Sequence, residues 1–289
     1  MASIKHTFSD FLILTIFVYS IGIIFYLYGS IPPVVSEEID LAFIAIAANL
    51  LFQKLRLGTY SLAELGLFFD RTLMNNILLV ILSIVLFTAF IFLLNTIFDA
   101  GLFNNIFTFS DSFSNIELLN FFYKSVVSIF LLVIIEEFIF RGIAFQIIYQ
   151  HIGAFTAILV SAIIFTLAHY FNPNLSFTGF LNIFLAGVLM GLMYHKSLTL
   201  YSMIVFHFVW NFNLAFVIST PLSGHYLHLN GALPKTDSTW LEILLGGSFG
   251  LEEGLITTLF LIILSVLVLT RFEESPRISA VQFHRKYSN

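Results

Sequence analysis

The chain has 289 residues, of which 59% are hydrophobic and only 10% charged, with a net charge of -5 and a mean hydropathy of +0.98. Soluble domains carry about 25% charged residues, so this composition excludes an ordinary soluble enzyme and predicts a polytopic helical membrane protein. The absence of cysteine excludes disulfides, thiolate nucleophiles, cysteine-ligated zinc and iron–sulfur clusters.

Runs long enough to cross about 30 Å of hydrocarbon predict an all-α bundle of about eight spans, near 9–29, 37–54, 75–98, 121–149, 153–171, 176–195, 198–218 and 252–270. The first run, Phe11 to Leu27, is too long for a signal-peptide core and reads as a retained span. The second is the weakest. Glu37, Glu38 and Asp40 open it, its clean apolar part covers Leu41 to Phe52, and it fits a short or partly interfacial helix. Three segments follow: N-terminal spans and a loop (1–74), a catalytic membrane domain (75–271) and a basic tail (272–289). The 36 phenylalanines read as lipid-facing bulk.

Eight spans place both termini on one side. That side receives Lys5, Lys54, Arg56, Arg71, Lys196, Arg271, Arg277, Arg285 and Lys286, against Lys124 and Lys235 opposite. The bias makes both termini cytoplasmic. The composition leans towards a bacterial plasma membrane.

The informative stretch is Glu136-Glu137-Phe-Ile-Phe-Arg141, set in an otherwise apolar span. Ionisable groups at bilayer depth cost about 2.5–3.5 kcal/mol each on insertion scales, so their presence points to function. Glu137 and Arg141 are one turn apart and can pair. Glu136 is rotated about 100° away and has no partner in its own helix, which leaves it for chemistry. Phe165-Thr-Leu-Ala-His169 lies in the next span, and His207-Phe-Val-Trp-Asn211 presents a His and an Asn on one face. Alone, each has a structural reading: a histidine bonded to a carbonyl, an asparagine bridging helices. Together they fit a hydrolytic site. A carboxylate takes a proton from water, one His orients that water, and a second His with an Asn donates to the oxyanion. From a helix reaching residue 149, Arg141 would lie roughly 12 Å from the inner surface, which predicts cytoplasmic access.

These three motifs, Glu-Glu-x-x-x-Arg, Phe-x-x-x-His and His-x-x-x-Asn, resemble in order those of the CAAX protease and bacteriocin-processing (CPBP, or Abi) group of intramembrane proteases. The resemblance covers roughly 120–260. It extends to Phe184-Leu-Ala-Gly187-Val-Leu-Met-Gly191 and loosely to Gly250-Leu-Glu-Glu-Gly254. It implies Glu136 as the catalytic glutamate, His169 as its partner on the water, and His207 with Asn211 as the oxyanion hole. Glu137, Arg141 and Phe165 would be supporting residues. The implied substrate is a peptide bond in a membrane-associated protein, of CAAX type or of leader or bacteriocin type. No cofactor is favoured. Zinc stays open as an alternative, with Glu136, His169 and His207 as its ligands, although His-Glu-x-x-His is absent. The expected partners are the bilayer and the peptide or lipidated substrate, with no nucleic acid. Two other classes compete: a non-catalytic immunity or partner-binding protein, and a proton-coupled transporter, for which buried Glu and His would form a relay.

Several patterns carry bland readings. Gly246-Gly-Ser248-Phe-Gly250 spells a nucleophile elbow but follows no strand, so it reads as a hinge. Gly187 and Gly191 read as close helix packing. Glu252 and Glu253 suit a helix start and are assigned no chemistry. His225 and His228 read as solvated loop residues.

Overall fold

The computed structural model describes residues 42, 44–51, 53–54, 62–63, 65–98, 100, 115–142, 145–146, 148–149, 152–225 and 239–277. The expected span at 9–29 lies outside them. Among the described residues the fold is all-helical. Helices α1 (Leu73–Phe98), α2 (Asn115–Arg141) and α4 (Phe177–Ser197) are long and apolar enough to cross a membrane. So is α5, which runs from Tyr201 to Phe212 and continues as a π-helix over Asn213–Ile218. Two shorter apolar helices, α3 (Ala154–Ala168) and α7 (Leu255–Arg271), complete the set together with a short α6 (Thr239–Leu245). The protein is an integral membrane protein. Of the expected second span, residues 44–51 and 53–54 are helical.

Helix α4 is the hub, packed on α3 and α7, while α5 lies against α1, α2 and α4. The Gly187/Gly191 pair explains the close α3–α4 approach. A Cβ on Gly187 would lie 2.9 Å from the Ala162 Cα, and one on Gly191 3.0 Å from the Ile158 side chain. The small residues therefore pack two helices of one chain, as the bland reading expects.

The expected continuous span 121–149 breaks. Helix α2 ends at Arg141, Gly142 bends, and helical geometry resumes at 145–146 and 148–149. The cause comes from a distant segment. The Asn49 amide donates to the Phe138 carbonyl (3.2 Å) and to the Ala45 carbonyl (2.8 Å). At Gly142 a Cβ would stand 2.2 Å from the Phe138 oxygen and 2.3 Å from Asn49 Oδ1. A side chain inserted against the helical ladder is a recognised origin of a kink, and here only glycine fits beside it.

The two ends of the bundle differ in chemistry. At one end, Asp70 caps α1 by accepting from the Thr72 and Leu73 amides, the Thr72 hydroxyl and the Ser275 hydroxyl. Burial pushes the Asp70 carboxyl up, but these hydrogen bonds outweigh it and hold its pKa below the ordinary value. Asn76 exchanges hydrogen bonds with the Glu273 backbone, and Lys196 pairs with Glu274 at 2.6 Å. The start of the expected tail is thus folded onto this end. At the other end, the Ser176 hydroxyl caps α4 by accepting from the Gly179 amide. There the Gly224 amide also donates to the Phe249 carbonyl.

Because the Gly187 contact is to backbone, the neighbour cannot move aside. Gly187→Val is expected to destabilise the fold by about 1–3 kcal/mol through overpacking, with Gly191→Ala costing less. Unfolding in mixed micelles, followed by far-UV circular dichroism, checks the order.

Candidate active site

Three helices meet where α2 breaks. Arg141 and Glu137 are both fully buried, and Arg141 Nη1 lies 3.2 Å from Glu137 Oε1. The Arg141 Nη2 points at the Gly187 carbonyl, 3.5 Å away, which places the guanidinium halfway along α4. His207 on α5 reaches the same Glu137 oxygen through Nδ1 at 2.8 Å. Its other nitrogen, Nε2, faces Glu136 Oε2 at 3.6 Å. The sequence spacing exposes the Glu137–Arg141 pair. It does not expose the Glu137–His207 contact, whose partners are 70 residues apart.

Phe165 binds this cluster to the second histidine. The Arg141 guanidinium stacks over its ring at 4.4 Å, a cation–π contact. The ring meets His207 edge-on at 6.1 Å and Phe140 at 5.2 Å. Four residues on, His169 caps α3 and its Nδ1 lies 2.8 Å from the Phe165 carbonyl. A carbonyl only accepts, so Nδ1 carries the hydrogen and Nε2 is left for other partners.

His169, His207 and Asn211 line one cavity between α3, α4, α5 and α7. Glu136 does not line it; its Oε2 lies 3.6 Å from Nε2 of the lining residue His207. Glu136 Oε2, Glu137 Oε2 and Arg141 Nε are buried without a protein hydrogen-bond partner. Buried polar atoms are normally satisfied, and here three without a protein partner lie together.

Two cavity residues escape the sequence reading. Trp210 stacks on Phe260 at 5.4 Å and walls the chamber. Glu252, read as a mere helix starter, lies in a 3₁₀ turn before α7 and faces the cavity. Its Oε2 accepts from the Ser223 amide (2.5 Å) and hydroxyl (3.2 Å). Burial pushes the Glu252 carboxyl up despite the opposing pull of Ser223, His169 and Trp210. The signal available was its place between Gly250 and Gly254 in a segment that loosely matched the motifs. The decoys stay outside. Ser248 is exposed, and its turn is pinned by the Gly247 and Phe249 amides donating to Glu253 Oε1 at 2.7 and 2.9 Å. His225 is exposed, and His228 lies outside the described residues.

For zinc the fit is poor. Among the described residues no three His, Asp or Glu side chains converge at metal-binding reach, so Glu136, His169 and His207 do not stand as one ligand set. His207 has its Nδ1 committed to Glu137.

Removing one partner of a buried ion pair leaves the other uncompensated, at about 3–5 kcal/mol, whereas removing both can be near neutral. Glu137→Leu is therefore expected to destabilise strongly, and Glu137→Leu with Arg141→Met to recover much of the loss. Chemical denaturation in detergent, read as a double-mutant cycle, measures the coupling.

Residues 118–213 match the family model described as type II CAAX prenyl endopeptidase Rce1-like. No curated protein and no solved structure matches the chain significantly. The matched stretch runs from α2 to the π-turn of α5 and holds all three motifs, so the resemblance to the CPBP proteases read from those motifs is a similarity shared with the Rce1-like family model.

Proposed function

We propose that the protein is an intramembrane endopeptidase that hydrolyses a peptide bond of a membrane-associated substrate with a water activated by Glu136 and His169. The family match supports a CAAX-type intramembrane protease at the level of the family. The observation that carries the reaction is the convergence of His169, His207 and Asn211 on one cavity, with Glu136 facing the free nitrogen of His207.

The steps follow from the donors and acceptors. Glu136 takes a proton from water, and the water oxygen attacks the scissile carbonyl carbon. His169 Nε2 accepts a hydrogen bond from the other O–H of that water, which keeps this hydrogen, and fixes its direction. The carbonyl π-pair becomes an oxyanion, to which His207 Nε2–H and the Asn211 amide donate. Glu136 then returns its proton to the amide nitrogen as the C–N bond breaks, giving an amine and a carboxylic acid. Preorganised donors of this kind are worth about 10²–10³ in kcat apiece, and a positioned base about 10²–10⁴.

A CAAX-type tail and a leader or bacteriocin peptide both fit this chemistry, since the machinery contacts the scissile amide and not a lipid. Purified protein assayed on prenylated and unprenylated peptides, with and without chelator, separates them. Glu136→Gln is expected to lose at least a hundredfold in kcat while retaining wild-type helicity and detergent stability. Asn211→Ala is expected to lose kcat with little change in KM. Full activity of Glu136→Gln would remove Glu136 as base, and activity abolished by chelator and restored by zinc would favour the metal alternative. Immunity conferred by Glu136→Gln with His169→Ala would instead favour the partner-binding reading, and proteoliposome flux that depends on Glu136 would favour the transporter.

A further inference from the structure

The cavity does not lie symmetrically in the bundle. From α3 it takes Phe165 and His169, at that helix's C-terminal end, and from α7 Thr257 and Leu261, near its N-terminus. The loops contribute Ser223 and Glu252. All of these belong to one half of the molecule, the half where the Gly224 amide meets the Phe249 carbonyl and Ser223 meets Glu252. Exposure differs among the lining residues. His169, Ala186, Asn211, Ser223 and Glu252 are partly exposed, whereas Asn182, Thr257, Met190 and Phe206 are buried, so three of the five partly exposed residues, His169, Ser223 and Glu252, gather at one end. The mouth is therefore at the Ser223/Glu252 end.

The opposite end gathers cations. Arg71 precedes α1, Lys196 closes α4, Arg271 closes α7, and Arg277 stacks over Phe68 at 3.9 Å. Hydrogen bonds from Ser275 to Asp70 and to the Lys196 carbonyl tie these segments into one surface. The mouth half carries Lys124, on the first turns of α2, and an aromatic pair, Phe98 with Trp240, at 5.1 Å. Lys and Arg near helix ends fix the cytoplasmic side, while Trp marks a membrane–water interface.

We infer that the chamber is entered from the side of the membrane away from the cationic surface, the non-cytoplasmic side, through a mouth flanked by His169, Ser223 and Glu252. This departs from the cytoplasmic access expected from the depth of Arg141. That depth is near mid-bundle, but the open space extends from it in the other direction. As a statement about substrate it rests on the hydrolytic reading, and it then narrows the substrate to a peptide segment presented at the outer surface.

The chain has no cysteine, so single introduced cysteines report without background. Expressed as the full chain in bacterial cells, Ser223→Cys and the exposed loop variant Ser248→Cys are expected to react with a membrane-impermeant maleimide in intact cells. Lys196→Cys is expected to react only after permeabilisation. Labelling of Lys196→Cys in intact cells with Ser223→Cys protected would overturn the inference, as would an unreactive Ser223→Cys beside a reactive Ser248→Cys. If Ser223→Cys fails to accumulate, Tyr170→Cys next to His169 takes its place. The labelling needs no turnover, so a failed peptidase assay leaves this result standing. If detergent-solubilised protein is active, peptide supplied outside right-side-out vesicles is expected to be cleaved, and cleavage confined to inside-out vesicles would refute outer entry.

Discussion

The structure depends on a buried chain of charge that runs Arg141–Glu137–His207 and ends facing Glu136. Each of these groups is costly in hydrocarbon, and the cost is offset only when every charge has a partner in good geometry. His207 is placed between two carboxylates, Nδ1 on Glu137 and Nε2 towards Glu136. Glu137 Oε1 is shared between Arg141 on its own helix and His207 on α5, so one carboxylate balances both partners. That balance links α2 to α5, and Phe165 links both to α3 by stacking beneath the guanidinium.

Such a cluster needs helices that approach closely and a backbone that can yield. The Gly187/Gly191 face lets α3 lie against α4, which brings Phe165 and the Gly187 carbonyl to the level of Arg141. The break at Gly142 lets α2 stop at the charge cluster and the chain redirect, with Asn49 satisfying the Phe138 carbonyl at the kink. Irregular backbone at membrane depth is tolerated where it is buried in protein, and Gly142 is buried. The same residues that make the site polar thus explain why its helices cannot all be ideal.

What the sequence made legible was local. A period of 3.6 puts Glu137 with Arg141, and His207 with Asn211, on shared faces, and the structure shows the first pair bonded and the second lining one cavity. Helix positions followed from apolar runs because hydrocarbon leaves the backbone few alternatives. The remainder depended on contacts between distant residues. The Gly142 break requires Asn49, 93 positions earlier in the numbering of the chain. The role of Glu252 requires a loop carrying Ser223 to fold over it. The π-turn at 213–218 and the mouth at one end of the bundle depend on how helices terminate and pack, which periodicity does not record.

The two histidines are not interchangeable, and their partners say why. His169 gives its Nδ1 hydrogen to a neutral carbonyl on its own helix. In its neutral form Nε2 is then an acceptor, suited to holding a water. His207 has its Nδ1 on the Glu137 carboxylate at 2.8 Å, while its Nε2 stands 3.6 Å from Glu136 Oε2 and is not hydrogen-bonded to it; as a donor, Nε2–H would supply what a developing oxyanion requires. Exchanging the partners would exchange the roles: a carboxylate behind His169 would make it a donor towards the water, and a carbonyl behind His207 would leave it a lone pair pointing at negative charge. The division of labour in the proposed hydrolysis therefore resides less in the histidines themselves than in the Phe165 carbonyl and the Glu137 carboxylate that stand behind them.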